Sequence, residues 1–488
     1  MHDSSGIARR VLKNFLSLSG ATVVTKLLAF ASTAYLARVL NAEGFGILGF
    51  AQAAVVYFQL ILNQGLDTYG TREIARSGKD IPRYVNNIVT IRILLSLAAY
   101  AMLAAFALLI PKPFIVKGVI LILGLKLFEV AFNLKWVFQG TEKMEWLAVS
   151  RIVQQAIFVA GVFVLIKRPS QVVGVPILQV AAGAVGIVLL LSVYSRMTGK
   201  IRFNIDTAFW KEAFTQSLPM AASYFLIQIY INFDMIFLGF IRDEKTVGLY
   251  SAAYKLITMI NLFGVYYFVT LFPNISRMYY SSTEKMERLL SKSIEKTMLV
   301  SIPLCVGGTI VAAPLMRMIF GADFAASALP FKILVWNVAV TWTNLHYGNT
   351  LVACNRQKEY MLGVSFGAVT NIVLNIIFIP RYGMTAAAFT TVFSELVVLS
   401  FMYRRLNTIV HLDFLRFIPK PAAASAAMGV SIFFLRDMQV VPLIGIGAAI
   451  YFLCAILLGA VKRREIVKLY REVTRKRAGI QQGKDRER

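Results

Sequence analysis

"NAEGFGILGF", residues 41–50, decides the fold, because it can be read in two incompatible ways. Gly44, Gly46 and Gly49 spell the G-x-G-x-x-G of a dinucleotide-binding turn, and the acidic Asp67 follows at about the spacing such a motif asks for. That reading needs a short strand before the glycines and a helix opening on them, so that N–H groups at the helix start meet a pyrophosphate. The flanks supply neither. Residues 14–38 and 45–67 are apolar runs, each longer than the ~20 residues that cross a bilayer as a helix. The glycines are expected instead to allow a tight turn and close packing of the first two membrane helices.

The same pattern continues outward from this turn. Hydrophobic residues make up 58% of the 488-residue chain and charged ones 16%, with a mean hydropathy of +0.66, which excludes an ordinary soluble protein. About fourteen apolar segments follow one another with short connections, the longest near twenty residues in "SRMYYSSTEKMERLLSKS". The first run follows a short basic stretch and lacks an A-x-A-like cleavage site, so it is expected to be retained. Cys305, Cys354 and Cys454 stand singly without a nearby histidine, which points to packing and to no metal site. No cofactor is implied.

The net charge of +26 does not mark a nucleic-acid partner, because Lys and Arg lie between the apolar runs rather than on one soluble face. Connections after even-numbered segments, together with both tails, hold 33 basic residues, against 10 in the connections after odd-numbered segments. Basic residues are retained on the inner face, so both termini are expected to be cytoplasmic and the number of spans even. The tail "VKRREIVKLYREVTRKRAGIQQGKDRER" is expected to lie on the anionic inner leaflet.

Two echoes share one spacing. "EGFGILGFAQA" between segments 1 and 2 is matched by "KTVGLYSAAYK" between segments 7 and 8, with Gly248 standing for Gly46. "QGTEKMEW" after segment 4 is matched by "CNRQKEYM" after segment 10, with Lys358 standing for Lys143. A shift of six segments is even, so the halves keep one orientation and are related by a pseudo-two-fold axis along the membrane normal. The expected fold is therefore an all-α polytopic membrane protein of about fourteen transmembrane helices. It has an N-terminal lobe of about six helices (1–200), a C-terminal lobe of about six (201–410), and two further helices with the basic tail (411–488).

The stretch "AFASTAYLARVLNAEGFGILGFAQAAVVYFQLILNQGLDTYGTREIAR", residues 29–76, with its L-A-R-x-L…G-x-G turn and G-L-x-x-x-G-x-R-E-I-A-R loop, resembles the polysaccharide transporter family. These are the Wzx-type O-antigen and exopolysaccharide repeat-unit flippases of the multidrug/oligosaccharidyl-lipid/polysaccharide superfamily. The resemblance implies two lobes facing each other across a V-shaped cavity in a bacterial inner membrane. It also implies movement of an undecaprenyl-diphosphate-linked oligosaccharide to the outer leaflet. A sugar diphosphate cannot enter hydrocarbon unaided, and fixed cations in a water-lined cleft would offset its desolvation.

Charged residues inside spans are the candidate sites, because each is costly unless it faces a cavity or a partner. Lys26 lies mid-way along segment 1 with Thr22 and Thr33 on the same stripe, and the resemblance places cavity cations on this helix. Lys126 and Glu129 stand at i,i+3 in segment 4 with Asn133 on the same face: either a self-neutralised pair, or a switchable one whose lysine is released by diphosphate or a proton. Lys255 and Arg92 complete the substrate-binding candidates, although Arg92, like Arg151, Lys296 and Lys332, lies near enough to a segment end to snorkel. Glu129, Asp234 and Glu395 are the candidate ion-coupling carboxylates for H+ or Na+. Asp67 and Arg72, with Glu73 and Arg76, are gate candidates at the inner end of segment 2. His346 reads as a packing histidine.

Nothing marks a catalytic residue, and the short outer connections leave no place to assemble a polymerase or ligase site. A transporter is expected rather than an enzyme. A multidrug or small-cation antiporter of the same superfamily is the alternative; it would call for an excess of carboxylates deep in the spans, whereas Lys26, Lys126 and Lys255 balance Glu129, Asp234 and Glu395.

Overall fold

The computed structural model describes residues 4–62, 65–77 and 80–461, and side chains among these outside 4–24, 77, 218–224 and 226. The basic tail from residue 462, and the side chain of Thr22, fall outside the described residues. The described chain is helical, with no strand among the described residues, which removes the dinucleotide-binding reading outright.

The first helices in order are α1 (Ser4–Leu62), α2 (Leu66–Ser77), α3 (Ile81–Leu109), α4 (Phe114–Gly124), α5 (Lys126–Phe132), α6 (Lys135–Gly140), α7 (Met144–Leu165) and α8 (Gly174–Met197). They are followed by α9 (Thr207–Ile241), α10 (Glu244–Ser281), α11 (Thr283–Phe320), α12 (Ala328–Leu334), α13 (Trp336–Ala353), α14 (Gln357–Tyr382) and α15 (Met384–Leu406). Two more, α16 (Pro419–Phe434) and α17 (Val440–Leu457), close the order. Ten stretches of described helix are long and apolar enough to cross a membrane. Large apolar side chains such as Leu109, Phe114, Phe434 and Leu457 point outward, at 84, 88, 79 and 77% exposure, which only a hydrocarbon solvent tolerates along so many helices.

The chain divides into two compact units. Unit 1 holds residues 1–253, 319–327 and 364–390. A buried cluster at one end joins α2, α3, α6, α8 and α9 through Leu66, Ile88, Trp136, Tyr194 and Phe209. Trp136 fits there only because Gly70 has no side chain: a Cβ would stand 2.3 Å from the indole. Unit 2 holds residues 254–318, 328–363 and 391–488. In it α16 and α17 pack on each other and on α11 through Val311, Met428, Ile432, Leu443 and Tyr451, whose hydroxyl donates to the Leu299 carbonyl at 2.6 Å.

Three local expectations change. The turn between the first two helices is made by Asn41 (φ 59°, ψ 179°), a residue type that tolerates positive φ, while Gly44, Gly46 and Gly49 lie inside the helical stretch after it. Their use is close packing and not the turn. The fourth apolar run is three helices, broken at Leu125 and again at Asn133, whose ψ of 103° is extended. Asn133 therefore leaves the face of Lys126 and Glu129, and its Oδ1 accepts from the Lys135 N–H at the start of α6. The long connection after residue 273 is helical too: α10 runs to Ser281, α11 starts at Thr283, and Ser282 alone separates them.

Candidate functional site

The broken span is the most unusual place in unit 1. A helix interrupted within a membrane leaves backbone groups that neighbours must satisfy, and here the Ser96 hydroxyl of α3 donates to the Leu127 carbonyl of α5 at 3.0 Å. Lys126 and Glu129 share α5 one turn apart. They form no ion pair with each other among the described contacts, and the buried Oε1 of Glu129 has no hydrogen-bond partner. The carboxylate instead sits on α8 where Gly183 offers no side chain; a Cβ there would lie 2.3 Å from both oxygens. One turn on, Gly186 seats Gln154 of α7 in the same way, with the amide Nε2 donating to the Gly183 carbonyl at 3.2 Å. Spacing placed lysine and glutamate together; the glycine pair that seats the two polar side chains carried no signal of its own.

Arg92 does not snorkel. It is 1% exposed on α3, and its Nη2 donates to Asp67 Oδ1 at 2.7 Å, while its Nε is buried without a partner. A substrate-binding candidate and a gate candidate are thus one ion pair. Arg72 stays exposed at the surface of unit 1: it pairs with Glu73 at 2.9 Å, stacks over the Tyr69 ring at 5.8 Å and hydrogen-bonds Gln216 of α9. Beside it, Arg83 and Asp206 pair at 3.0 Å, and Asp206 caps α9 by accepting from the Phe209 N–H. That N–H bond, then Arg83, holds the Asp206 carboxyl below its ordinary range.

Asp234 is buried on α9, where the Tyr250 hydroxyl donates to its Oδ2. In α14 and α15 a chain of neutral groups runs from Asn375 Nδ2 to Asn371 Oδ1 at 2.9 Å, and from Thr390 Oγ1 to Asn375 and to the Ala387 carbonyl. Lys26 is exposed on α1, where Thr33 spends its hydroxyl on the Ala29 carbonyl of its own helix rather than on a stripe with Lys26.

Unit 2 holds Lys255 and Glu395. Lys255 is half-buried on α10. Glu395 Oε2 accepts from Asn344 Nδ2 at 2.6 Å. His346 is a packing residue, as its sequence context suggests: one ring nitrogen faces the Trp342 carbonyl at 2.8 Å, the other the Ser293 hydroxyl at 2.7 Å, and Phe268 meets the ring edge-on.

The opposite end of unit 1 contains groups that no sequence motif announced. Lys112 pairs with Glu244 at 2.9 Å, donates to the Arg242 carbonyl and stands 5.5 Å from the Phe50 ring centroid. Arg242 donates to the Pro380 and Arg381 carbonyls at 2.8 and 3.3 Å. Between them the echoed glycines meet. A Cβ on Gly46 would stand 1.7 Å from the Glu244 carbonyl oxygen, and one on Gly248 would stand 1.8 Å from the Ala42 carbonyl oxygen. Each glycine thus faces the carbonyl one helical turn before the other, a reciprocal backbone crossing with its own local two-fold axis.

Residues 11–279, more than half of the chain, match the family of polysaccharide biosynthesis proteins. The chain belongs to that family. Among similar proteins is the putative O-antigen transporter of Escherichia coli K12, 24% identical over 410 residues that cover 79% of this chain and 93% of the relative. The probable low-salt glycan biosynthesis flippase Agl15 of Haloferax volcanii is 24% identical over 299 residues, 61% of each chain. The lipid II flippase MurJ in an inward closed conformation shares the fold with a TM-score of 0.76 at 15% identity, over 92% of this chain and 99% of the other. A multidrug MATE transporter, inward-facing, shares it at 0.61 and 14% identity over 81% and 98%.

Proposed function

We propose that this chain is a flippase that carries an undecaprenyl-diphosphate-linked oligosaccharide across a bacterial cytoplasmic membrane, for O-antigen or exopolysaccharide assembly. The observation that carries the reading is the match, over 79% of this chain and 93% of the relative, to a protein named a putative O-antigen transporter, together with the polysaccharide biosynthesis family match. The residues are compatible with such a cargo. Arg92 is buried within a helix long and apolar enough to cross a membrane, a costly placement for a cation, and Lys126 is half-buried on the short α5.

In this reading the lobes 1–200 and 201–410 alternate access to a cleft between them, with the helices after 411 appended and both termini cytoplasmic. Lys26, Lys126, Lys255 and Arg92 serve the diphosphate. Arg92 reaches it by exchanging Asp67 for phosphate oxygens, which present the same bidentate chemistry to a guanidinium. Glu129, Asp234 and Glu395 serve a coupling H+ or Na+, and Asp67 and Arg72 latch the inner end. The work is transport and involves no covalent step. In a host lacking its own O-antigen transporter and supplied with a matching sugar pathway, the wild-type chain is expected to restore surface polysaccharide, and Lys26→Ala to insert normally but fail to restore it. Undiminished restoration by Lys26→Ala removes Lys26 from the head-group site; no restoration by the wild type removes the proposed cargo.

A further inference from the structure

We infer that the ion taken up at Glu129 is a proton, and that this proton sets the charge which Lys126 offers to an anion. The inference deepens the coupling role proposed above and rests on that reading for its link to substrate, but the proton site itself stands on the geometry of α5.

The carboxylate of Glu129 is seated rather than ligated. Both oxygens occupy the space where Gly183 lacks a side chain, and the buried Oε1 meets no donor. A hard metal cation asks for about six oxygens around it. Here the Gly183 carbonyl already accepts from Gln154 Nε2, and the carbonyl of Leu127 from Ser96, which leaves each one lone pair. The described residues hold no cluster of acidic, histidine or cysteine side chains that could complete a cation shell. A proton needs one lone pair and no shell, and it removes the cost of a buried, unpaired carboxylate.

The surroundings fix the sign of the coupling. Helices α1, α3 and α8 pack against α5, and α7 reaches the site through Gln154. From α8 the carboxylate meets Gly183, from α7 the neutral Gln154, and from α3 the hydroxyl of Ser96 reaches the same short helix. Among the described side chains, the charge that acts on it is Lys126, three residues earlier on α5. With Glu129 ionised, its negative charge offsets that of Lys126 at a distance; with Glu129 protonated, the ammonium stands alone. Protonation therefore adds one net positive charge one helical turn from the anion-binding lysine. Through a partly screened medium that is worth on the order of tenfold in affinity for a diphosphate. Proton and lipid diphosphate bind together, not in exchange.

The test uses the full chain in lipid nanodiscs and reads Glu129 directly. Infrared difference spectra between acidic and neutral pH are expected to show a protonated-carboxyl C=O band that is absent from the isosteric Glu129→Gln, unchanged by replacing Na+ with choline, and displaced in Gly183→Ala, where the new methyl takes the carboxylate's seat. Undecaprenyl diphosphate, measured by native mass spectrometry, is expected to bind about tenfold tighter to wild type at the acidic pH and equally at both pH values to Glu129→Gln. A spectrum identical in wild type and Glu129→Gln overturns the proton site, as does a band that moves with Na+. The band without any undecaprenyl diphosphate binding at either pH supports the proton site while ending the lipid-flippase reading. Binding with the same pH dependence in Glu129→Gln overturns the link to Lys126.

Discussion

The two ends of unit 1 are closed by different physics. At the end where Gly46 crosses Gly248, backbone touches backbone, and the flanking ion pair of Lys112 and Glu244 is nearly withdrawn from solvent, at 10 and 17% exposure. At the end where α2 meets α9, the contacts are side chains in water: Arg72 bonded to Gln216, and Arg83 paired with Asp206, with Arg83 58% exposed. A backbone crossing tolerates little displacement, because a gap of about 0.5–1 Å forfeits roughly a quarter to a half of the van der Waals attraction. Exposed ion pairs yield gradually, are screened by salt and are worth ~0–1 kcal/mol each. Unit 1 thus joins its helices by a rigid backbone contact at one end and by yielding side-chain contacts at the other.

Substitutions can break or sharpen that contrast. The largest effect is expected from Gly46→Ala or Gly248→Ala. Each methyl meets a main-chain oxygen that cannot rotate away, so the cost is expected at the upper end of overpacking penalties, about 3 kcal/mol or more. Because both methyls separate the same two helices, the double variant is expected to lose less than the sum, a non-additivity readable from thermal unfolding in detergent. Additive losses would mean that the two glycines do not share one crossing. Lys112→Ala comes next, since it leaves Glu244 with most of its surface buried and its partner gone; a loss of about 3 kcal/mol, insensitive to salt, is expected in the same assay. A salt-sensitive loss would make that end no different from the other.

The smallest effect belongs to Asp206. Its carboxyl is held below the ordinary range when folded, by the Phe209 N–H and then by Arg83, so its contribution is present above the unfolded carboxylate range and is lost as pH falls through the folded value. Asp206→Ala is therefore expected to lower the melting temperature slightly at neutral pH and low salt, and to match wild type in strong acid. A difference that grows on acidification would reverse the sign and remove the cap from the account.

These particulars show what could be seen before folding. Hydropathy revealed the helices, and the flanks of Gly44, Gly46 and Gly49 were enough to dismiss a nucleotide site. The echo of Gly46 in Gly248 was legible as a repeat, yet only packing showed that the two glycines touch, since contact between residues two hundred positions apart leaves no local pattern. The break at Asn133 was invisible because hydropathy does not register a single extended residue in an apolar run. Arg92 was misread as able to snorkel because distance from a segment end says nothing about which way a side chain turns; it is buried and pairs with Asp67. Lys126 and Glu129 were found by spacing, but their seat on Gly183 required a third helix. Lys112 and Glu244 carried no signal in the sequence, because their pairing exists only once the fold brings them together.

The central claim, that fixed cations within the membrane carry a lipid-linked diphosphate sugar, is tested most directly by leaflet accessibility of a labelled undecaprenyl-diphosphate oligosaccharide in proteoliposomes containing the purified chain. The account predicts that the sugar becomes reachable to an externally added modifying enzyme with the wild type, and stays protected with Lys26→Ala and Lys126→Ala folded in the same vesicles. Sugar that stays protected with the wild type while the vesicles exchange an organic cation would contradict it.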